Sequence, residues 1–494
     1  MKTHLKYLFI TLFVFSGNFL LMAEDMEEKY RTGYRSLISF SPDNPYLPFL
    51  IIAGMLLAII SFYAPRIGLI VMLFFILIAT DVPIGKGAGM ERAVTIRLED
   101  IILLIVSAGW LLNRAKTKTL SSLKNSPLMR PILIMATVIT LATLTGYFQE
   151  TVKPLNGIFF AMKRLEYFWI FFMTFNLMEK DSEAEIGLNI LLVVSVVIAV
   201  VGVIQFFFFP ISELTAGGAS ATAGFGRANT MGDFLLIMVG LTLGLFLYTK
   251  EPLKNFFYMT LLVIFSISLI MTKSRGSYIS VIPMLLIIFG ISRNKKILFF
   301  ILLCMIVPIF YIFVVKVGTG DFSALLNKHH EDISNQFTQI ADVATEGESI
   351  DPSLHSRVLA WKESVNEISD YPFLGQGCGS KSLGYADNQY VMELLETGFI
   401  GFFTFLYMNL CIFYFMLRFY YATANPHFKA LSLGFIGGHA GMMVHGITMV
   451  NFYTIFNMEI FWFVLALISL FYYNECKNST AGNLTEVPDG QNVQ

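Results

Sequence analysis

The chain has 494 residues, of which 55% are hydrophobic and only 14% are charged, and its formal net charge is −1. A soluble domain usually has about 45–50% apolar and about 25% charged residues. The composition therefore excludes a soluble multidomain enzyme and a disordered chain, and it lacks the basic surplus of a nucleic-acid-binding protein. Apolar runs of about 17–25 residues recur along the sequence, and each can span a bilayer. The sequence predicts an all-α fold, a polytopic transmembrane helical bundle.

Thirteen spans are predicted, and the segment Tyr7–Met22 is a fourteenth candidate because a short apolar core there follows Lys2 and Lys6, as in a signal peptide or an uncleaved anchor. In chain order the spans are 47–63, 66–82, 98–113, 129–147, 157–178, 186–209, 232–249, 256–272, 277–292, 296–316, 393–418, 430–449 and 455–473.

The chain divides into five predicted regions: an N-terminal anchor and outer linker, a set of spans, one large periplasmic loop, the C-terminal spans and a cytoplasmic tail. Their bounds are 1–46, 47–316, 317–390, 391–473 and 474–494. Orientation follows from lysine and arginine, which favour cytoplasmic loops. The two strongest basic clusters, at 114–130 and 293–296, fall on one side of the predicted membrane, so the large loop is expected on the other side.

Within the large loop, apolar residues recur at helical spacing between 354 and 368. Pro352 stands near the start of this segment and Pro372 just beyond its end, which is where proline favours helix boundaries. The following residues, 372–379, are rich in glycine and predict a tight turn. The sequence therefore predicts one helix in the loop, followed by a turn.

Two arginines lie in short glycine- and serine-rich turns on the expected outer face. Arg227 belongs to the segment 224–230 and Arg275 to the segment 272–277. Each could be a snorkelling arginine at the level of the lipid headgroups. Two such turns on one face favour an anion site, since glycine lets a ligand approach the backbone and an arginine fork binds phosphate oxygens in pairs.

The end of the loop carries Asp387 and Asn388, which helix N-capping alone would explain. The functional interpretation is a carboxylate base at the membrane surface, with Asn388 positioning a sugar. Arg357 lies one helical turn before Trp361, where it could pair with an acidic neighbour or stack on the indole ring.

Further polar residues have two interpretations each. Lys163 and Arg164 could form internal ion pairs, with Glu166 as one partner, or could contact a lipid diphosphate. His445, near the outer end of its span, is more typical of a packed and hydrogen-bonded side chain than of a catalyst. The loop histidines lack ligand spacing, so no metal site is predicted.

Several of these residues together resemble the signature region of the O-antigen ligase and O-antigen polymerase family. The resemblance spans roughly 150–470, with its core at 220–405. It rests on Arg357 with Trp361, on Pro372, Gly375 and Gly377, on the run 387–390, on Glu396, Thr397, Gly398 and Gly401, and on the upstream turns 226–229 and 272–276.

The resemblance implies about a dozen transmembrane helices, one large outer loop and an active site on the periplasmic face of the bacterial inner membrane. It implies transfer of a glycan from an undecaprenyl diphosphate carrier to an acceptor hydroxyl on a glycan or on the lipid A-core, without a metal or other cofactor. Arg227 and Arg275 stand where the family's diphosphate-binding arginines are expected. Asn388, Gly398 and Gly401 match the ligase pattern, and Arg357 is a further supporting residue.

The sequence departs from the ligase pattern at one position: Asp387 stands where ligases have a histidine. A carboxylate can serve as the base if it is oriented and ionised. The sequence leaves open whether the chain is a ligase or a polymerase. A transporter of a lipid-linked or anionic substrate is the alternative from another class, and a non-catalytic envelope protein is a third.

Overall fold

The computed structural model describes residues 47–78, 81–85, 94–117, 126–208, 228–297, 352–381 and 385–485. In this part the chain forms thirteen helices and one antiparallel hairpin of β1 (Asp81–Gly85) and β2 (Val94–Arg97). The helices are α1 (Leu47–Tyr63), α2 (Pro65–Ile78), α3 (Leu98–Lys116), α4 (Met129–Phe148), α5 (Pro154–Leu177), α6 (Asp181–Phe208), α7 (Ala228–Tyr248), α8 (Pro252–Met271), α9 (Arg275–Ser292), α10 (Pro352–Asp370), α11 (Gln389–Ala422), α12 (Pro426–His445) and α13 (Ile455–Thr485).

The predicted all-α, polytopic membrane fold is confirmed. By length and composition, seven helices of the described part can cross a membrane: Met129–Phe148, Asp181–Val203, Asn229–Tyr248, Pro252–Met271, Arg275–Ser292, Gln389–Ala422 and Ile455–Asn478. A helix stands at every predicted span except 296–316, which lies almost entirely outside the described residues, as does Tyr7–Met22. The loop helix is confirmed as α10. The hairpin between α2 and α3 is an addition that the sequence analysis did not predict.

The helix ends define two faces of the bundle. We call the face with the turns 149–153, 272–274 and 446–454 the site end. At the opposite end, Arg66 pairs with Glu183 at 2.6 Å and Arg114 donates to the backbone oxygen of Asn176 at 2.8 Å. There α13 continues past the predicted boundary at 473, because Asn474 bonds to Asp181 at 2.8 Å and Glu475 accepts from Thr423 at 2.8 Å.

Close packing of α7 against α12 sets the positions of the site-end residues on both helices. A Cβ atom added to Gly240 would lie 2.5 Å from the backbone oxygen of Gly434, and one added to Gly244 would lie 2.1 Å from that of Ala430. Small residues four apart let membrane helices approach at their backbones. Since these contacts fix α7 against α12, they also fix the start of one helix beside the end of the other.

The helix α11 is broken at Gly398, where φ is 64° and ψ is −168°. The turn 372–377 satisfies the backbone groups that the break releases. Two amides after the break donate to carbonyls of the turn at 2.8 and 3.1 Å, and two carbonyls before it accept from amides of the turn at 2.8 and 3.0 Å. The pairs are Phe399 with Pro372, Ile400 with Phe373, Leu395 with Gln376 and Glu396 with Gly377. The turn 372–377 and the break at Gly398 therefore form one structural unit.

Because α11 is broken at Gly398, we expect Gly398→Ala to lower the stability of the fold. The backbone of Gly398 occupies a region that only glycine normally adopts, and a Cβ atom there would lie 2.4 Å from the backbone of Phe373. We expect a loss of about 1–3 kcal/mol from backbone strain alone. The matched control is Gly290→Ala, since nothing lies within 4 Å of a Cβ atom at that helical position. Thermal unfolding of the purified protein should show a lower Tm for the first variant only; equal Tm values would contradict the assignment.

Candidate active site

The helix α10 docks on the segment that returns from the loop to the membrane. Trp361 donates its indole N–H to the backbone oxygen of Ala386 at 2.7 Å. Arg357, one turn earlier, places its Nε atom 3.7 Å from Oδ2 of Asp387. Of the two interpretations of Arg357, pairing with an acidic neighbour is therefore the one observed. Both contacts come from the same helix, so α10 lies against the backbone of Ala386 and the side chain of Asp387.

Asp387 and Asn388 have different structural roles. Asn388 is the N-cap of α11, because its side-chain oxygen accepts from the backbone amides of Tyr390 and Val391 at 2.9 and 3.2 Å. Asp387 takes no part in the cap, so capping explains only the second residue of the pair. Its φ is 42°, a left-handed conformation that aspartate and asparagine tolerate. Its side chain is 39% exposed, so another molecule can reach the carboxylate.

Glu367 joins α10 to the turn that follows it. Its carboxylate accepts from Gln376 at 2.9 Å and from Tyr385 at 2.6 Å, and it pairs with Lys381 at 2.8 Å. Burial by itself would raise the pKa of Glu367, but these hydrogen bonds outweigh burial and hold the pKa below its ordinary value of 4.5.

The lowered pKa of Glu367 predicts acid-sensitive docking of α10. The stabilisation is present above pH 4.5, the group's ordinary pKa, and is lost as the pH falls through the lowered pKa of the folded state. Proteolysis of α10, followed against pH, should accelerate below pH 4.5 in the wild type, and Glu367→Gln should remove this pH dependence. Glu363→Gln, at an exposed position of the same helix, is the control and should leave it intact.

Arg275 is the first residue of α9, and Ser274 is the N-cap of that helix. The contacts of residues 445–446 bring the start of α9 to the same end of the bundle as Asp387. Gln389, two residues after Asp387, donates its backbone amide to Gly446 at 2.7 Å. The preceding His445 lies 3.4 Å from the hydroxyl of Ser274. Arg227 directly precedes α7 and lies outside the described residues.

The internal ion-pair interpretation is confirmed for Lys163 and Arg164. Arg164 is buried and pairs with Glu393 at 2.6 Å and with Glu396 at 3.9 Å, and its guanidinium lies 4.2 Å from the ring centroid of Tyr453. Glu396 also accepts from the backbone amide of Gly379 at 3.0 Å. A buried charge needs such partners, since an unpaired one costs several kcal/mol. The pair therefore ties α5, α11 and the turn after α10 together.

Lys163 belongs to a second charged group, which also contains three carboxylates. Its ammonium pairs with Asp100 and with Glu166, the latter at 3.1 Å. The carboxylates of Asp100, Glu166 and Glu459 lie within 4.8 Å of one another and are the one set in the described part that could hold a metal ion. The lysine already supplies positive charge to this set, which fits a structural ion-pair group.

Asp233, which was not among the residues predicted from the sequence, accepts from Nδ1 of His445 at 2.7 Å. An aspartate within an apolar span is the signal that could have found it, since charge inside a membrane helix is costly and needs a partner. His445 is packed and hydrogen-bonded, as predicted, and is buried. The remaining candidates have structural positions: Gly398 allows the break in α11, and a Cβ atom on Gly401 would lie 1.9 Å from the hydroxyl of Thr397.

A comparison with curated proteins finds no match. A family model described as O-Antigen ligase matches residues 260–406, which include Arg275, Arg357 and the motif residues from Pro372 to Gly401. The matched segment is shorter than the resemblance predicted at 150–470, and Arg227 precedes it. The match supports glycosyl transfer of the O-antigen ligase kind, with a lipid-linked glycan and an acceptor as substrates. The family resemblance read from the sequence is therefore confirmed over residues 260–406, where the chain matches the O-antigen ligase family model.

Proposed function

We propose that this multi-pass membrane protein transfers or polymerises a glycan carried on undecaprenyl diphosphate, at the periplasmic face of the bacterial inner membrane. One observation carries the proposal. Within the matched segment, an exposed carboxylate at Asp387 and an arginine at the first turn of α9 lie at the same end of the bundle. Together, the two residues supply the two groups that such a reaction needs: a base for the acceptor and a cation for the leaving diphosphate.

In the proposed reaction the acceptor hydroxyl attacks the anomeric carbon of the donor sugar. Asp387 takes the hydroxyl proton, which makes the oxygen a better nucleophile. The bond from the anomeric carbon to the diphosphate oxygen breaks, and its electron pair stays on the leaving undecaprenyl diphosphate. Arg227 and Arg275 stabilise the charge that develops there. One displacement of this kind inverts the anomeric centre, and the two guanidinium groups take the role that a metal ion has in other transferases.

Arg357 and Asn388 support the site in this proposal without taking part in the proton transfer. Arg357 faces the carboxylate of Asp387 and so limits its orientations. Asn388 starts α11 directly beside the base. The helix α10, docked through Trp361, acts as a lid over the loop's return to the membrane. The acceptor, a glycan or the lipid A-core, reaches Asp387 from the exposed side of its carboxylate.

The proposed orientation places the site end in the periplasm. The basic residues Arg114 and Lys116 end α3 at the opposite face, and Arg293 ends α9 there, which agrees with the preference of arginine and lysine for the cytoplasmic side. A reporter fused at Thr338, within the loop 317–390, should read as periplasmic, and one fused within 118–125 should read as cytoplasmic. The reverse pattern would contradict the whole site assignment.

The broken helix α11 is an observation that favours transport, because transporters bind substrates at discontinuous helices. In such proteins the backbone groups released by the break face the substrate. Here the turn 372–377 binds those groups. The break therefore serves to dock the loop, and transfer remains the better account.

Deletion of the gene, followed by analysis of the envelope glycan, tests the proposal and separates its two forms. Full-length chains that stay on the lipid carrier would indicate a ligase. Single repeat units attached to the core would indicate a polymerase. An unchanged glycan profile would contradict both forms. Restoration by the wild-type gene, but not by an Arg275→Ala gene expressed at the same level, would assign the effect to this site.

A further inference from the structure

A further group of buried polar side chains lies next to the helical turn that carries Arg275. Nε2 of His445 is 3.4 Å from the hydroxyl oxygens of both Ser274 and Ser277, and the hydroxyl of Ser277 donates to that of Ser274 at 2.7 Å. On its other side, His445 meets Asp233 through Nδ1 at 2.7 Å. All four side chains are buried, with exposed fractions of 3% or less. The group joins the start of α7, the start of α9 and the end of α12.

The hydrogen bonds of this group run in one consistent direction. The carboxylate of Asp233 also accepts from the side-chain amides of Asn451 and Asn457, at 3.1 and 3.4 Å, so the bond from Nδ1 of His445 is its third. With Nδ1 as a donor, a neutral imidazole has Nε2 as an acceptor. Ser274, which receives a hydrogen bond from Ser277, is then free to donate to Nε2. The imidazole therefore links the carboxylate of α7 to the N-cap of α9.

Two glycines make room for these contacts. A Cβ atom on Gly276 would lie 2.6 Å from Cδ2 of His445 and 2.8 Å from its Nε2. A Cβ atom on Gly232 would lie 2.0 Å from the hydroxyl oxygen of Ser277. The ring of His445 thus packs directly against the first turn of α9, on the residue next to Arg275. Within the turn 274–277, Arg275 lies among Ser274, Gly276 and Ser277, and these three residues all take part in the buried contact with His445.

We propose that His445, oriented by Asp233, is a positioning residue that holds the first turn of α9 and thereby the guanidinium of Arg275. The inference rests on the proposed function for its catalytic consequence, because a bidentate contact with a diphosphate depends on where the arginine backbone is held. The ring of His445 is buried, and Nε2, the nitrogen that does not bond to Asp233, faces two buried serines. His445 itself therefore does not touch the substrate. The role therefore differs from that of a general base.

The direct test is amide hydrogen exchange of the full-length protein in lipid nanodiscs, which needs no substrate. The variant His445→Asn retains an amide near the Nδ1 position and the bond to Asp233, but it is too short to reach the serines. Exchange at Ser277 and Tyr278, in the first turn of α9, should accelerate by about fivefold, the factor for one lost hydrogen bond. The variant His445→Gln, whose amide reaches the Nε2 position, should restore much of the protection.

The matched control is His439→Asn, two turns earlier on α12. His439 is equally buried, bonds to Asn409 at 2.7 Å and stacks on Phe413, so its replacement disturbs the same helix without touching α9. This control should leave exchange at Ser277 and Tyr278 unchanged. Equal acceleration in both asparagine variants would mean general loosening of the bundle and would overturn the inference. So would unchanged exchange in His445→Asn.

A double-mutant cycle on glycan transfer tests the consequence. If His445 acts through Arg275, His445→Asn should lower kcat about tenfold in the wild-type background and cause little further loss in an Arg275→Ala background. An equal loss in both backgrounds would make His445 an independent catalytic group and overturn the inference. If the wild-type protein transfers no glycan, the proposed function fails, whereas the exchange experiment still decides whether His445 holds the start of α9.

Discussion

Arg275→Ala is expected to reduce glycan transfer sharply while expression and membrane insertion stay intact. The guanidinium would contact the diphosphate most strongly when charge develops on it, and loss of such a contact costs about 2–4 kcal/mol by analogy with an oxyanion-hole donor. Because Arg275 starts α9 and Ser274 provides the cap, the alanine variant should retain the helix. Arg227→Ala is expected to have an effect of similar size. The measurement is the rate of transfer from a lipid-linked donor in nanodiscs.

The charge alone does not account for the expected role, so Arg275→Lys should restore only part of the rate. Lysine keeps the positive charge but cannot form the paired contact with two phosphate oxygens. Arg418→Ala is the control, since this arginine is exposed near the other end of α11. Full activity of both the Arg227 and the Arg275 alanine variants would remove the diphosphate site from the proposal.

Asp387→Asn is expected to lower the rate by roughly 10²–10⁴-fold, the range for a lost general base. The substitution should leave the local backbone structure unchanged. Asparagine tolerates the left-handed backbone at this position as well as aspartate does, and the N-cap of α11 is supplied by Asn388. Neither the start of α11 nor the path of the loop should change. The melting temperature of the variant should therefore match that of the wild type, which would leave proton acceptance as the property lost.

Asp387→His places a histidine before Asn388, as in the ligase pattern that the resemblance implies. An active histidine variant beside an inactive asparagine variant would support a base at this position. A silent Asp387→Asn, with an unchanged transfer rate, would refute the assignment and direct attention to other groups at the site end. Arg357→Ala should lower the transfer rate by less than Asp387→Asn does, because it removes the contact with the carboxylate but leaves the carboxylate itself in place.

Elements that depend on neighbours in the sequence were predictable from it. The apolar runs determined the helices, because a span of the right length must satisfy its own backbone hydrogen bonds in a membrane. Helical spacing between two prolines determined α10, which runs from Pro352 to Asp370. The glycine-rich turn after Pro372 was also a local prediction. The hairpin of β1 and β2 was missed, since its strands of five and four residues leave too short a pattern in the sequence.

Only the tertiary structure decided how the polar groups are paired. Arg164 and Glu393 are 229 residues apart, and Asp233 and His445 are 212 residues apart, so no spacing rule connects them. The sequence suggested capping for both Asp387 and Asn388, and packing of α10 separated the two roles by placing Arg357 against the first. In the sequence, Gly398 and Gly401 indicated a functional site. In the fold, the absence of a side chain at Gly398 leaves room for the turn 372–377, and its absence at Gly401 leaves room for Thr397.

The physical reason for this division is the range of the interactions. Hydrophobic periodicity, capping and turn preferences act over a few residues, so composition and spacing determine a membrane bundle and its loop helix. A buried charge or hydroxyl is satisfied by whichever partner the packing of distant helices brings within hydrogen-bond distance. The close approach of α7 and α12 sets that distance for Asp233, His445 and Ser274, and with them the first turn of α9 that carries Arg275.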